Sequence, residues 1–327
     1  MRRRESILAL GGAAAAWPFA ARAQQAAMPV IGFLSSRSPG ESAGVVAAFR
    51  EGLREAGFVE GENLAIAFRW AEGHYDRLPA LAAELVNLRV ALVFSAGGPP
   101  SAFAAKAATS TIPIVFSAVS DPVEIGLVSG LNQPGGNITG MGVFNATLGA
   151  KRIELARELL PAASVMGYLL NPSNQSSSVE SEGALAAARA LGLELHLLNA
   201  NSEYQLDTAF NELAKLRLAA VVVSGEPYFD SQRDRLVALS ARHAIPCVYA
   251  WREYVLAGGL VSYGTDLPHS YRQAGTYAGR VLKGEKPANL PVMQPTKFHL
   301  AVNFKTARSL GVSVPPMLLA RADEVIE

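Results

Sequence analysis

Residues 91–108 read ALVFSAGGPPSAFAAKAA. The apolar run ALVFSA meets Gly97-Gly98-Pro99-Pro100 and re-emerges as an alanine-rich segment. A short apolar run bounded by glycine and proline, then a helix-forming stretch, predicts a buried strand that turns directly into a helix. No side chain in the turn is an acid, base, nucleophile or metal ligand. What it offers is backbone. Pro99 or Pro100 fits the first helical position, where a missing N–H costs nothing. Gly97 and Gly98 let a ligand come close to the main chain. A helix start carries unpaired N–H groups and partial positive charge, so this turn suits a carboxylate. A plain tight turn, with glycine used for geometry alone, is the other reading of the same residues.

The pattern recurs on both sides. Strands are predicted at 29–35, 64–70, 91–96, 113–119 and 138–144, then at 165–171, 193–199, 219–224, 246–251 and 260–264. Several are apolar on both faces, as strands of a covered parallel sheet are. Between them run helical stripes: Val45, Phe49 and Leu53 recur every four residues, and Leu78, Leu81, Ala82 and Leu85 share a face. Such alternation predicts an α/β fold with helices on both faces of parallel sheets. The strands fall into two sets of about five, with a seam near 142–147 and no long flexible tether. A chain of 327 residues, 50% hydrophobic, can build two lobes of ordinary size.

The first residues, MRRRESILALGGAAAAWPFAARAQQ, stand outside this rhythm. Basic residues, an uncharged stretch and the small-x-small site Ala21-Arg22-Ala23 predict an export signal at 1–23, cleaved before Gln24. Arg3-Arg4-Glu5-Ser6-Ile7-Leu8 is similar to a twin-arginine motif, with Ser6 where a large apolar residue is usual. A membrane anchor is the competing reading, but no later segment reaches the ~20 apolar residues a span needs. The expected location is therefore periplasmic. Cleavage removes Arg2, Arg3, Arg4, Arg22 and Glu5, leaving 25 basic and 27 acidic side chains, a net charge of −2. Nucleic acid is not an expected partner of such a chain. Cys247 is the one cysteine, so no intramolecular disulfide forms, and it reads as a small buried residue.

Ligands of open parallel sheets bind at the carboxyl ends of strands. In the first half those ends read Ser35-Ser36-Arg37-Ser38, Ser95-Ala96-Gly97-Gly98 and Ser117-Ala118-Val119-Ser120-Asp121. In the second they read Asn171-Pro172-Ser173-Asn174, Ser224-Gly225-Glu226-Pro227 and Tyr249-Ala250-Trp251-Arg252. Asp121 either accepts a ligand ammonium or caps a helix beginning at Pro122. Glu226 either pairs an ammonium or is a solvated carboxylate in a first helical turn. Tyr249, Trp251, Tyr254 and Tyr263 either stack on a planar ligand or pack in the core.

Catalytic signatures are missing: the sequence has no GxSxG, HExxH or GxxxxGK[ST], and no GxGxxG after the first strand. The five histidines lack ligand-like spacing, so neither a metal nor a cofactor is expected. The expectation is a binding protein, not an enzyme. A Ser–His–Asp triad assembled from distant residues stays open.

The chain resembles ABC-transporter substrate-binding proteins of the kind related to the tryptophan/tyrosine-binding periplasmic proteins. The likeness rests on VIGFLS at 30–35, FREGLREAGFVEGENLAI at 49–66 and SDPVEIGLVSGLNQPGGNITG at 120–140. It continues through LVSYGTD at 260–266, GRVLKGEKPANLPVMQPTKFHLAVNFKTARSLG at 279–311 and PPMLLARADEVIE at 315–327. The resemblance implies a type I periplasmic-binding-protein fold, two Rossmann-like lobes joined by three crossing segments, here near 142–147, 262–266 and 292–298. Lobe 1 would be 28–143 plus 265–295, and lobe 2 would be 144–264 plus 296–327. It also implies a small-molecule ligand in the cleft, an amino acid or a related, aromatic carboxylate, with a permease and ATPase subunits as partners.

Carried onto matching positions, the implied site is Ser35, Ser36, Gly97, Gly98, Ser120 and Asp121 from one lobe. Asn171, Ser173 and Glu226 face them, with Tyr249 and Tyr263 near the hinge. Relatives often carry threonine after the two glycines, where this chain has Pro99, which removes a hydroxyl and an N–H. An exported α/β enzyme, or a sensor handing its solute to a receptor, are the alternatives to transport.

Overall fold

A computed structural model of the chain describes residues 28–143, 145–216 and 218–327. The expected export signal lies outside the described residues. The first lobe's strands and helices alternate as β1 (Val30–Ser35), α1 (Pro39–Glu55), β2 (Ala65–Trp70), α2 (Leu78–Asn87), β3 (Leu92–Ala96), α3 (Pro99–Ala108), β4 (Ile114–Ser120) and β5 (Ile138–Val143). Then come α4 (Asn145–Leu159), β6 (Val165–Leu170), α5 (Ser177–Ala190), β7 (Glu194–Asn199), α6 (Glu203–Leu216), β8 (Val221–Val223), α7 (Pro227–Ser231) and α8 (Arg233–His243). The chain ends with β9 (Cys247–Tyr249), α9 (Arg252–Leu256), β10 (Val261–Thr265), α10 (Leu267–Leu282), β11 (Phe298–Asn303), α11 (Phe304–Ser309), α12 (Pro316–Arg321) and β12 (Glu324–Ile326).

Two sheets result. One runs β2-β1-β3-β4-β5 and is parallel throughout. The other runs β12-β11-β10-β9-β8-β6-β7 and is parallel except where β10 meets β11. All ten predicted strands form. β11 and β12 were not predicted, and both have physical excuses. FHLAVN alternates apolar with polar residues at one end of an antiparallel pair, and β12 is only three residues long. The parallel-sheet expectation holds with that single antiparallel exception.

After β10 the chain returns to the first sheet: α10 packs on α1 and touches β3, β4 and β5. Tyr271, Ala274, Tyr277, Ala278 and Val281 supply its buried face at helical spacing. Residues 290–293 then run beside β5, with Thr139 Oγ1 donating to Leu290 O at 2.7 Å and Gly142 N to Met293 O at 2.8 Å. From there the chain enters β11 in the second sheet. Phe33, Phe49 and Phe94 knit the first core, with Phe49 stacked on Phe94 at 4.0 Å. Cys247 is buried as expected, and burial pushes its thiol up to about 11.

Candidate functional site

The carboxyl ends of the two sheets meet. Pro99 and Pro100 do open α3, and Gly97 and Gly98 have φ of 80° and 88°, where only glycine is at ease. The space around them, however, is filled by the protein itself. Gly97 gives its N–H to the Tyr271 hydroxyl (3.1 Å), and its carbonyl accepts from Ser36 Oγ at 2.6 Å. A Cβ at Gly98 would lie 3.3 Å from Ala118 O and 3.5 Å from Pro227 Cγ of the opposing lobe. The expectation of open amides is corrected for Gly97, whose polar groups are both committed. Gly98 instead lets the lobes approach each other. Ser35, also buried, uses its hydroxyl to accept from Arg37 N.

β4 ends irregularly. Its pairing with β5 shifts between Phe116 and Val119, and Ala118 and Asp121 have φ of 60° and 42°. Non-glycine residues in this region store strain, which concentrates where a site demands it. No helix begins at Pro122, because the segment folds into turns, so Asp121 is not a helix cap. Ser120 Oγ donates to Asp121 Oδ2 at 2.9 Å, and Asp121 lines a cavity of about 170 Å³ with Pro122, Val143 and Gln294.

Glu226 is not solvated. It is 2% exposed and caps α7 by accepting from Tyr228 N at 3.1 Å. Asn171 Nδ2 and the Tyr75 hydroxyl donate to the same oxygen, Oε1, and Asn174 Nδ2 donates to Oε2 at 2.6 Å. Tyr75 stands 151 residues away, before α2 in the first lobe, and reaches Glu226 at 2.6 Å. Glu226 therefore ties lobe to lobe and is not an open acceptor for an ammonium. Burial, partly offset by these donors, pushes its carboxyl up to about 7.

A pH dependence follows. With the lobes in contact, Glu226 holds a proton more tightly than it would as a hydrated carboxylate were the lobes to separate. Its contribution to closure is complete below the ordinary carboxylate value and fades as pH rises through about 7. Scattering from ligand-free protein is expected to show a larger radius of gyration at about pH 8 than at about pH 5. Glu226→Gln should flatten the profile. A profile unchanged in that variant would remove Glu226 from closure.

The remaining sequence candidates are dispersed. Asn171 is buried and holds Ser173 N through its Oδ1, whereas Ser173 is exposed and accepts from Asn201. Tyr249 is fully buried and stacks on Tyr254 at 4.6 Å, so the core reading applies to both. Tyr263 stacks on Phe298 in a separate cavity beside Lys151, Glu154 and Arg321. The structure thus brings together Ser36, Gly97, Gly98, Asn171 and Glu226 and sets Ser173, Tyr249 and Tyr263 apart.

Sequence reasoning missed Arg37, Tyr75, Asn174 and Asp230. Arg37 and Asp230, on opposite lobes, form an ion pair at 2.6 Å. Arg37 lies inside the strand-end segment SSRS, where its charge was the available signal, whereas Asp230 lies three residues beyond Ser224-Gly225-Glu226-Pro227. Tyr75, in GHYDRL, had none.

The profile of the family described as ABC transporter substrate binding protein matches residues 30–326. A tyrosine-binding protein of Clostridioides difficile (strain R20291) is 27% identical over 264 residues, covering 81% of this chain and 75% of that protein. The structure of an ABC domain from Streptococcus pneumonia in complex with L-Trp aligns with a TM-score of 0.83 at 27% identity, covering 90% of this chain and all of the other (100%). The ligand-free, open structure of a substrate binding protein with adhesive properties from Clostridium difficile gives 0.66 at 25% identity, covering 91% and 99%. At nearly equal identity, the arrangement here is closer to the L-Trp complex than to the open protein. The fold is the two-lobed α/β architecture of type I periplasmic binding proteins.

Proposed function

Because this chain belongs to the ABC transporter substrate binding protein family, we propose that it is the exported solute receptor of an ABC importer. The guest is an amino acid, with an aromatic one favoured, held between lobes 28–143 plus 265–295 and 144–264 plus 296–327. The reading rests above all on one observation: the strand-end loops of the two sheets meet, through Tyr75–Glu226 and Arg37–Asp230. Likeness to a tyrosine-binding protein and to an L-Trp complex supports the ligand class. Residues 1–23 would carry the chain to the periplasm, by the twin-arginine route. A permease and its ATPase would read the closed state.

The mechanism is a population shift. A guest that touches both lobes binds the closed form better than the open one, and only that difference moves the equilibrium. Hinge closure around a ligand is a standard device of such folds. Nothing in the cycle makes or breaks a covalent bond. Asp121, strained at the irregular end of β4, is the proposed partner of the guest's ammonium. Asp121→Ala is expected to weaken L-tryptophan binding by at least ~1.5 kcal/mol in calorimetry. Indole-3-propionate, which lacks the amine, should lose nothing. Equal losses for both would take Asp121 out of ammonium recognition.

A further inference from the structure

Helix α7 has five residues, of which Pro227, Tyr228, Phe229 and Asp230 are buried. It belongs to the second lobe, yet several of its neighbours come from the first. Pro227 sits over Gly98, and the Tyr228 ring and Ser231 hydroxyl lie within 3.4 Å of where a Cβ on Gly73 would be. Tyr228 N donates to the Tyr75 hydroxyl at 3.1 Å. Asp230 meets Arg37 at 2.6 Å, with side chains only 8% and 7% exposed, and Tyr254 OH donates to its other oxygen at 3.2 Å. Exposed ion pairs contribute little, but losing one partner of a buried pair strands an uncompensated charge. Opening the lobes would part Arg37 from Asp230 and hydrate both. The pair therefore acts on closure and not on the fold of either lobe.

We propose that α7 is an interlobe latch and that Arg37 and Asp230 are a positioning pair, setting how tightly a guest is held without touching it. The proposal rests on the two-lobed receptor reading above. A latch raises the fraction of protein already closed, and apparent affinity scales with that fraction. It also makes the ligand-free protein part-closed, with the pair's charges unpaired whenever the lobes separate. The other charges around the pair are Glu41 of α1, Arg233 of α8 and Glu253 of α9, which line the same cavity of about 120 Å³. Burial opposes the Arg37 charge, but Asp230 together with Tyr271, Glu41 and Glu253 outweighs it and keeps the guanidinium protonated.

The test uses ligand-free mature protein with spin labels on cysteines introduced at Leu88 and Met317, one on each lobe, which are 53% and 72% exposed. Cys247, fully buried, takes no label. Double electron–electron resonance should give a short interlobe distance in the parent. Arg37→Ala and Asp230→Asn should each lower the closed-to-open ratio about tenfold. Arg37→Lys should retain part of it, and Arg37→Asp combined with Asp230→Arg should restore part. Asp230→Asn is nearly isosteric, so it answers the question if Arg37→Ala folds poorly, as thermal melting would reveal. Parent-like distances in Asp230→Asn, or a parent that is wholly open, overturn the latch. Because no solute is added, the two readings fail separately. A receptor without a latch still titrates with L-tryptophan but keeps parent distances in the variants. A latch in a chain that binds no solute shifts the distances and gives no titration.

Discussion

Gly98→Val is expected to leave both lobes folded and to disfavour closure strongly. Gly98 has φ of 88° and ψ of −163°, a conformation that costs a residue with a Cβ on the order of 1–3 kcal/mol. The new Cβ would also sit 3.3 Å from Ala118 O and 3.5 Å from Pro227 Cγ, and valine adds two methyls beyond it. Within its own lobe the strain is absorbed at the end of a strand. Across the cleft it is not, because Pro227 must move away and α7 moves with it. The backbone strain is common to open and closed states and does not enter, and an overpacking penalty of about 3 kcal/mol on the closed state corresponds to more than a hundredfold in affinity. Calorimetry with L-tryptophan reads the loss, and circular dichroism checks the fold. Parent affinity in Gly98→Val would mean that the lobes do not need this approach.

Gly275→Val should have the largest effect on stability. α10 lies against α1 at two glycine notches: a Cβ on Gly52 would fall 1.8 Å from Arg272 O, and one on Gly275 would fall 2.2 Å from Phe49 O. Both obstacles are backbone, so no side chain can swing aside. Valine at Gly275 forces the helices apart, and the contacts of Tyr271, Ala274 and Ala278 with the first lobe go with them. Tyr271 also holds Gly97 N and packs edge-on to Phe94 at 5.9 Å. Losses above ~4 kcal/mol are the expected result of overpacking combined with exposed core. A drop of about 10 °C or more in melting temperature would record it. An unchanged melting temperature would show that α10 is not seated on α1.

Much of this architecture was legible in the sequence, and for definite reasons. Buried parallel strands are apolar on both faces, so ALVFSA and PIVFSAV announce themselves without a partner. The turns between them are marked by glycine and proline, which have local causes. FHLAVN was harder, since its polar positions blur the period and its partner β10 runs the other way. The stretch after Ser120-Asp121-Pro122 reads like a capped helix but forms turns, because local capping preference gives way to the bulged end of β4.

The site was only partly legible. Ser36, Gly97, Gly98, Asn171 and Glu226 were marked by their place after strands, and they do gather where the sheets meet. What each one touches depends on residues far along the chain: Tyr271 for Gly97, Tyr75 for Glu226, Asp230 for Arg37. No local pattern encodes such pairings. Aromatic residues misled for a related reason, since Tyr249 and Tyr263 lie near strand ends but have rings committed to Tyr254 and Phe298.

The most direct test of the receptor reading is titration of the mature protein with L-tryptophan and L-tyrosine, with the solute then recovered by denaturation and weighed by mass spectrometry. Saturable binding of one molecule per chain, released chemically intact, is the predicted result. Binding of neither amino acid, or recovery of an altered compound, would contradict the claim that two lobes close on an amino acid and hand it on unchanged.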